Sequence, residues 1–374
     1  MLNNKMIFYI PDVKTTGVYV SGSTIRPQKM LQAFRIVGYD IDVVWGDLTE
    51  KREQIRHIKS QIKAGKKYDL LYAENSTMPI YLAQGKKYAF QMAWWDVRFL
   101  NYCHRKKIPV GLFYRDAYWK FPNMFTGYSS WKKYIMNKLY EQELKNYQQF
   151  VDVLFLPSMK MYKYLQMNFP GRVYDLPPGA EDVTHIHENR NNDYDIHIIY
   201  VGGIGNQYDL RLFFKVIAEF PKVKFTVCCR RNEWDNMHAV YQPHLHDNIE
   251  IIHESGDGLI PYYQSADVAC LYFKPEIYRE FAMAVKLFEY MSYGLPMVSS
   301  KGTAMGDFVE KNKLGWNLSY DEESLRKWLL HLLSNRSEID VIRDRVETAR
   351  EANTWEMRAR RVSEILCPSV KRRG

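Results

Sequence analysis

Val285-Lys286-Leu287-Phe288-Glu289-Tyr290-Met291-Ser292-Tyr293-Gly294-Leu295-Pro296-Met297-Val298-Ser299-Ser300 reads as a helix, a glycine stop and a buried strand. Lys286 and Glu289 are three apart, which puts both side chains on one helix face. Gly294 suits the left-handed cap that ends a helix, and Pro296 prevents its continuation. A cation at the helix start would meet a diphosphate, helped by the helix dipole, and an acceptor one turn on would meet ribose hydroxyls. The plainer alternative is an amphipathic helix with two exposed charges ahead of a core strand.

Outward from this stretch the chain alternates strands with helices. Strands are expected at residues 196–201, 223–229, 249–252, 268–273 and 314–318, with helices at 210–219 and 260–265. The first half shows the same alternation. Its strands are expected at residues 6–10, 41–45, 68–73, 109–114 and 151–156, and a helix at 27–37 has Pro27 suited to its first turn. Such alternation argues for parallel sheets covered on both faces. At 374 residues two domains are natural. The polar stretch 181–195 reads as the linker between Rossmann-like domains at 1–180 and 196–353.

A second constellation, Tyr200-Val201-Gly202-Gly203-Ile204-Gly205-Asn206, runs from a strand through glycines toward a helix. Glycines let backbone N–H groups approach a phosphate. The third glycine of a dinucleotide fingerprint counted from Gly203 falls on Tyr208, so the fingerprint is not met. This loop, the segment from Tyr262 to Cys270 and the Lys286 helix together resemble the donor half of GT-B glycosyltransferases, which transfer sugars from nucleotide donors. The resemblance implies an α/β protein of two Rossmann-like domains with a cleft between them. It also implies a C-terminal helix, here residues 354–370, that crosses back to an acceptor-binding first domain. The donor diphosphate would rest on Gly203, Gly205 and Lys286, and Glu289 would hold the ribose. Arg230, at the carboxyl end of its strand, could reach the nucleotide. UDP is the favoured nucleotide by family frequency, with GDP next, and no tightly bound cofactor is expected.

The sequence departs from the retaining members at one place. The first of their two spaced glutamates would fall on Phe281, with Glu280 one position out of register. The pattern is similar to that of bacterial polysaccharide glucuronosyltransferases, and retention or inversion stays open. An inverting enzyme needs a general base. Asp116, after the 109–114 strand, is the first choice and Glu74, after the 68–73 strand, the second. Asp193-Tyr194-Asp195 spells a metal-binding pattern of another glycosyltransferase fold, but it lies in the linker, and no metal is expected. The missing glutamate leaves one alternative, a catalytically silent partner of the same fold that binds saccharide within a glycosyltransferase complex.

Charge separates the halves. Residues 1–180 hold 27 Lys/Arg against 14 Asp/Glu, and residues 181–374 hold 25 against 29, so the first half faces something anionic. No nucleic-acid motif accompanies that charge, which disfavours a nucleic-acid partner. Residues 113–134 contain nine aromatics, with Lys132, Lys133 and Lys138 close by, and residues 88–107 have a similar character. Such segments can lie on an anionic membrane. No run of 18 apolar residues is present. Five cysteines without metal or disulfide spacing read as reduced thiols. The expectation is a cytoplasmic protein, peripheral at the inner face of the membrane, that glycosylates a lipid-linked saccharide in bacterial surface polysaccharide synthesis.

Overall fold

The computed structural model describes residues 4–11, 22–80, 82, 89–121, 127–183, 194–205 and 208–368; of residues 22–24 and 89–94 it describes the backbone. The chain divides into two units. Unit 1 is Met1–Pro178 with Trp355–Gly374, and unit 2 is Gly179–Thr354.

Unit 1 runs β1 (Asn4–Tyr9), α1 (Gly22–Ile36), β2 (Tyr39–Val44), α2 (Leu48–Lys63), β3 (Leu70–Glu74), α3 (Ala89–Arg105), β4 (Val110–Phe113), α4 (Ser130–Phe150), β5 (Val153–Leu156), α5 (Tyr162–Leu165) and β6 (Arg172–Asp175). Its sheet has the order β2-β1-β3-β4-β5-β6, every pairing parallel. All residues of β3, β4 and β5 are buried, as helices on both faces require. Asp47 starts α2 by accepting from the Thr49 and Glu50 amides, while the Glu50 side chain accepts from the Asp47 amide. Pro27 is not in the first turn of α1: the helix starts at Gly22 and Pro27 stands sixth. Gly22 and Ser23 ahead of it belong to the same helix. The short edge strand β6 had no clear pattern, because its residues are only partly covered.

Unit 2 runs β7 (Ile196–Val201), α6 (Arg211–Ile217), β8 (Val223–Cys228), α7 (Arg231–Tyr241), β9 (Ile249–Ile252), α8 (Ile260–Ser265), β10 (Val268–Leu271), α9 (Val285–Ser292), β11 (Met297–Ser300), α10 (Ala304–Asn312), β12 (Gly315–Leu318), α11 (Glu322–Ser334) and α12 (Ser337–Glu351). The sheet order is β12-β11-β10-β7-β8-β9, again parallel throughout. Of the linker stretch, residues 181–183 are tied into unit 2. The Glu181 amide donates to Ser292 Oγ at 2.7 Å, and Arg350 reaches the Val183 carbonyl at 3.4 Å.

The last helix, α13 (Trp355–Leu366), packs on unit 1. Trp355, Ala359, Val362 and Leu366 share a core with Met30, Phe34 and Phe113. Burying a side chain such as Val362 or Leu366 contributes about 1.5–3 kcal/mol. That apolar stripe attaches α13 to α1. Among the described residues no helix is long and apolar enough to cross a membrane.

Candidate functional site

In the second sheet β7 lies between β8 and β10. From β7 the chain moves outward through β8 and β9, then returns to β10 on the other side and continues to β11 and β12. This reversal is a switch point, and the loops leaving the carboxyl ends of β7 and β10 diverge there to leave a crevice for ligand. The glycine loop leaves β7 at this point, and the segment from β10 leads into α9.

The end of α9 shows why its sequence was readable. Gly294 sits at φ +61°, its amide donates to the Met291 carbonyl at 3.0 Å, and the Leu295 amide donates to Tyr290 at 3.1 Å. These two bonds form a Schellman motif, which needs the left-handed residue. At the other end, Lys286 Nζ donates to Tyr200 Oη at 3.1 Å, and Tyr200 donates to the Gly203 carbonyl at 2.6 Å. The ammonium lies 4.6, 4.3 and 5.1 Å from the ring centroids of Tyr200, Tyr208 and Phe273. A Cβ at Gly202, which has φ +155°, would run into this ammonium.

A second cation shares the box. The Arg279 guanidinium lies 4.6 Å from the Phe273 ring and 5.2 Å from that of Tyr208. Among the described residues neither Lys286 nor Arg279 has an ion-pair partner. Burial, with Arg279 as the next cause, brings the Lys286 ammonium down to about 7. Cations taken out of water need a counter-charge, and aromatic faces replace only part of it. An anion at this place would supply that counter-charge.

Glu289, one turn further along α9, lies beside Tyr263 and Tyr293, whose rings stack 4.3 Å apart between centroids. Burial and then the Glu289 charge push the Tyr263 hydroxyl well up. Gly203 and Gly205 lie in the β7 loop with Gly202, and the intervening Ile204 amide donates to Glu233 Oε2 at 3.2 Å. Arg230 stands at the N-cap position of α7, and its side chain pairs with the same Glu233 carboxylate. The five residues picked from unit 2 thus gather at the carboxyl edge of one sheet, with Arg230 held by Glu233. Tyr200 and Gly202 stood in the glycine constellation without a role of their own, and Arg279 was missed, since it sits in a short 3-10 turn without periodicity.

The two carboxylates picked from unit 1 differ in their surroundings. Asp116 is half-buried after β4, and its Oδ1 accepts from the Tyr118 amide at 2.9 Å. Glu74, at the end of β3, is 1% exposed. Its Oε1 accepts from Arg26 Nε at 3.2 Å and from the Tyr72 hydroxyl at 2.7 Å. The aromatic segments are split by burial. Phe99, Phe113, Tyr114 and Trp119 are core residues, whereas Trp131 and Tyr134 on α4 are 63% and 65% exposed. Tyr88 and Phe125 lie outside the described residues, as does Asp193 of the Asp-Tyr-Asp triplet.

Residues 195–335 match the family model of Glycosyl transferases group 1. No curated protein sequence matches the chain. Among solved structures, the sucrose-phosphate synthase of Thermosynechococcus elongatus superposes with a TM-score of 0.62 at 13% identity, covering 98% of this chain and 100% of that one. The Anabaena protein HepE, solved with UDP-glucose, gives 0.60 at 11% identity, covering 97% and 99%. WaaG, a glycosyltransferase involved in lipopolysaccharide biosynthesis, gives 0.58 at 13%, covering 96% and 99%. These likenesses show the fold: the chain has the two Rossmann-like domains of the GT-B glycosyltransferases.

Proposed function

We propose that this protein, with a group 1 glycosyltransferase segment in unit 2, moves a sugar from a nucleotide donor to a lipid-linked or polysaccharide-precursor acceptor. The observation that carries the reading is the Lys286 seat at the β7/β10 switch point, a cation caged by aromatic rings and with no ion-pair partner among the described residues, inside the segment that matches the family model. UDP-sugars are the favoured donors, in line with the UDP-glucose bound by HepE.

In this reading the glycine loop and Lys286 hold the donor diphosphate, and Glu289 accepts from the ribose hydroxyls. The acceptor oxygen bonds to the anomeric carbon as the bond from that carbon to the phosphate oxygen breaks. The electron pair leaves on the nucleoside diphosphate, whose growing negative charge Lys286 offsets. If the configuration inverts, Asp116 takes the acceptor's proton, with Glu74 the second choice. Unit 1 binds the acceptor, and its net positive charge and the exposed aromatics of α4 favour an acceptor carried on an anionic membrane at its inner face.

Thermal melting with UDP, GDP, CMP and dTDP, repeated on Lys286→Ala and Glu289→Ala, tests the donor site. A ligand bound to the folded state alone raises the melting temperature by mass action. The expected result is a shift with one nucleoside diphosphate that both variants lose. No shift with any of them counts against the donor reading and favours a silent saccharide-binding partner.

A further inference from the structure

The 3-10 turn Ile277–Glu280 delivers Arg279 to the box from outside α9. Arg279 is 8% exposed and makes no side-chain hydrogen bond or ion pair among the described residues. Its guanidinium and the Lys286 ammonium stand against the same two rings, Tyr208 and Phe273. Two like charges sharing one low-dielectric box repel each other, and each has lost part of its hydration. The two rings offset part of that cost, and an anion would offset the rest. Arg279 also lines a pocket of about 220 Å³ beside the glycine loop, with Gly205, Lys274 and Arg211 and with the carboxylates of Asp209 and Glu276, of which Asp209 is paired with Arg211.

We propose that Arg279 is the second cation of the donor seat, so that Lys286 and Arg279 together take the two phosphoryl groups of one diphosphate. The inference rests on the donor reading above and adds to it the residue that distinguishes a diphosphate from a monophosphate. Arginine suits the role, since its planar fork meets two phosphate oxygens at once. Lys286 supplies a point charge that follows the ligand's protonation and the solvent pH.

The test compares UDP, UMP and uridine binding by calorimetry for the wild type, Arg279→Gln and Arg279→Lys across pH 6 to 9. Loss of a charge-assisted contact predicts a fall of about tenfold to a hundredfold in UDP affinity for Arg279→Gln. UMP affinity changes much less, so the preference of UDP over UMP collapses, and Arg279→Lys recovers part of it. Removing the neighbouring positive charge also lets Lys286 hold its proton to higher pH. The pH at which UDP affinity declines, near 7 in the wild type, therefore moves upward in Arg279→Gln. A structural role for Arg279 would move neither the UDP-to-UMP ratio nor that midpoint. If the wild type binds UDP and Arg279→Gln keeps both, the inference is overturned while the donor reading stands. If the wild type binds no nucleoside diphosphate, both fail together.

Discussion

Lys286 donates to Tyr200 Oη at 3.1 Å, and the Tyr200 hydroxyl in turn donates to the Gly203 carbonyl at 2.6 Å. One hydroxyl therefore fixes the direction of the ammonium and closes the glycine loop. Tyr200→Phe keeps the ring but removes both bonds. The expected cost is about 1 kcal/mol of stability per hydrogen bond lost. Nucleotide affinity falls about tenfold, because the loop and the lysine lose their shared anchor. Titration calorimetry with UDP, alongside urea unfolding, measures the two effects separately.

The lowered proton affinity of Lys286 has a thermodynamic consequence. In the folded protein it releases its proton near pH 7, and in the unfolded chain near the usual lysine value. Between these limits the unfolded state binds more protons, so this residue makes stability rise with pH from about 7 upward. Lys286→Met removes the charge and keeps the stem. The variant is expected to be more stable than the wild type at pH 6.5, and the difference shrinks by pH 9. Guanidinium unfolding at the two pH values checks this. A variant that is less stable at pH 6.5 would show that the ammonium already has a counter-charge.

The parts of the fold that were legible in the sequence are those where one local requirement picks one residue. Gly294 meets the left-handed cap, and strands such as β4 and β5 are apolar throughout because helices cover both faces. The Lys286 helix and the glycine loop were visible for the same reason. What stayed hidden depends on tertiary contact. Arg279 reaches the box only because the chain after β10 folds back over Tyr208 and Phe273, and no spacing encodes that. Tyr200 opened the glycine constellation without a role of its own; it is fully buried, yet its hydroxyl sits at the site. Glu74 read as an end-of-strand candidate, and nothing in the sequence announced Arg26 as its partner 48 positions earlier.

The Arg26–Glu74 pair supports a stability prediction. Both side chains are almost fully buried, and Arg26 lies 3.5 Å from the Phe113 ring centroid. Glu74→Ala leaves a buried guanidinium without its carboxylate. The expected loss is about 3–5 kcal/mol. Glu74→Gln keeps an acceptor for Arg26 and for the Tyr72 hydroxyl and should lose less. If Glu74 is the general base, Glu74→Gln also abolishes turnover at unchanged fold. Retained turnover would leave Asp116 as the candidate, for which Asp116→Asn is expected to cost about a hundredfold to ten-thousandfold in kcat.

The first turns of α4 expose Trp131, Tyr134 and Ile135, with Lys132 and Lys138 among them. The Lys132 ammonium lies 5.7 Å from the Trp131 ring centroid, and that of Lys138 5.7 Å from the Tyr134 ring centroid, so each ring carries a cation at its edge of the helix. An aromatic ring inserted at an acyl boundary gains from apolar burial, and each lysine near an anionic surface adds about 1 kcal/mol. Among the described aromatics of the same stretch, Phe113, Tyr114 and Trp119 are core residues, whereas Tyr128, just ahead of α4, is exposed with Trp131 and Tyr134. Cosedimentation with phosphatidylglycerol vesicles should therefore capture the wild type, and added salt should weaken the binding by screening the lysines. Trp131→Ser with Tyr134→Ser should reduce it at least tenfold while leaving UDP binding unchanged, since both side chains lie in unit 1 and the nucleotide seat in unit 2. Equal capture of the wild type and the double variant would remove α4 as the membrane contact.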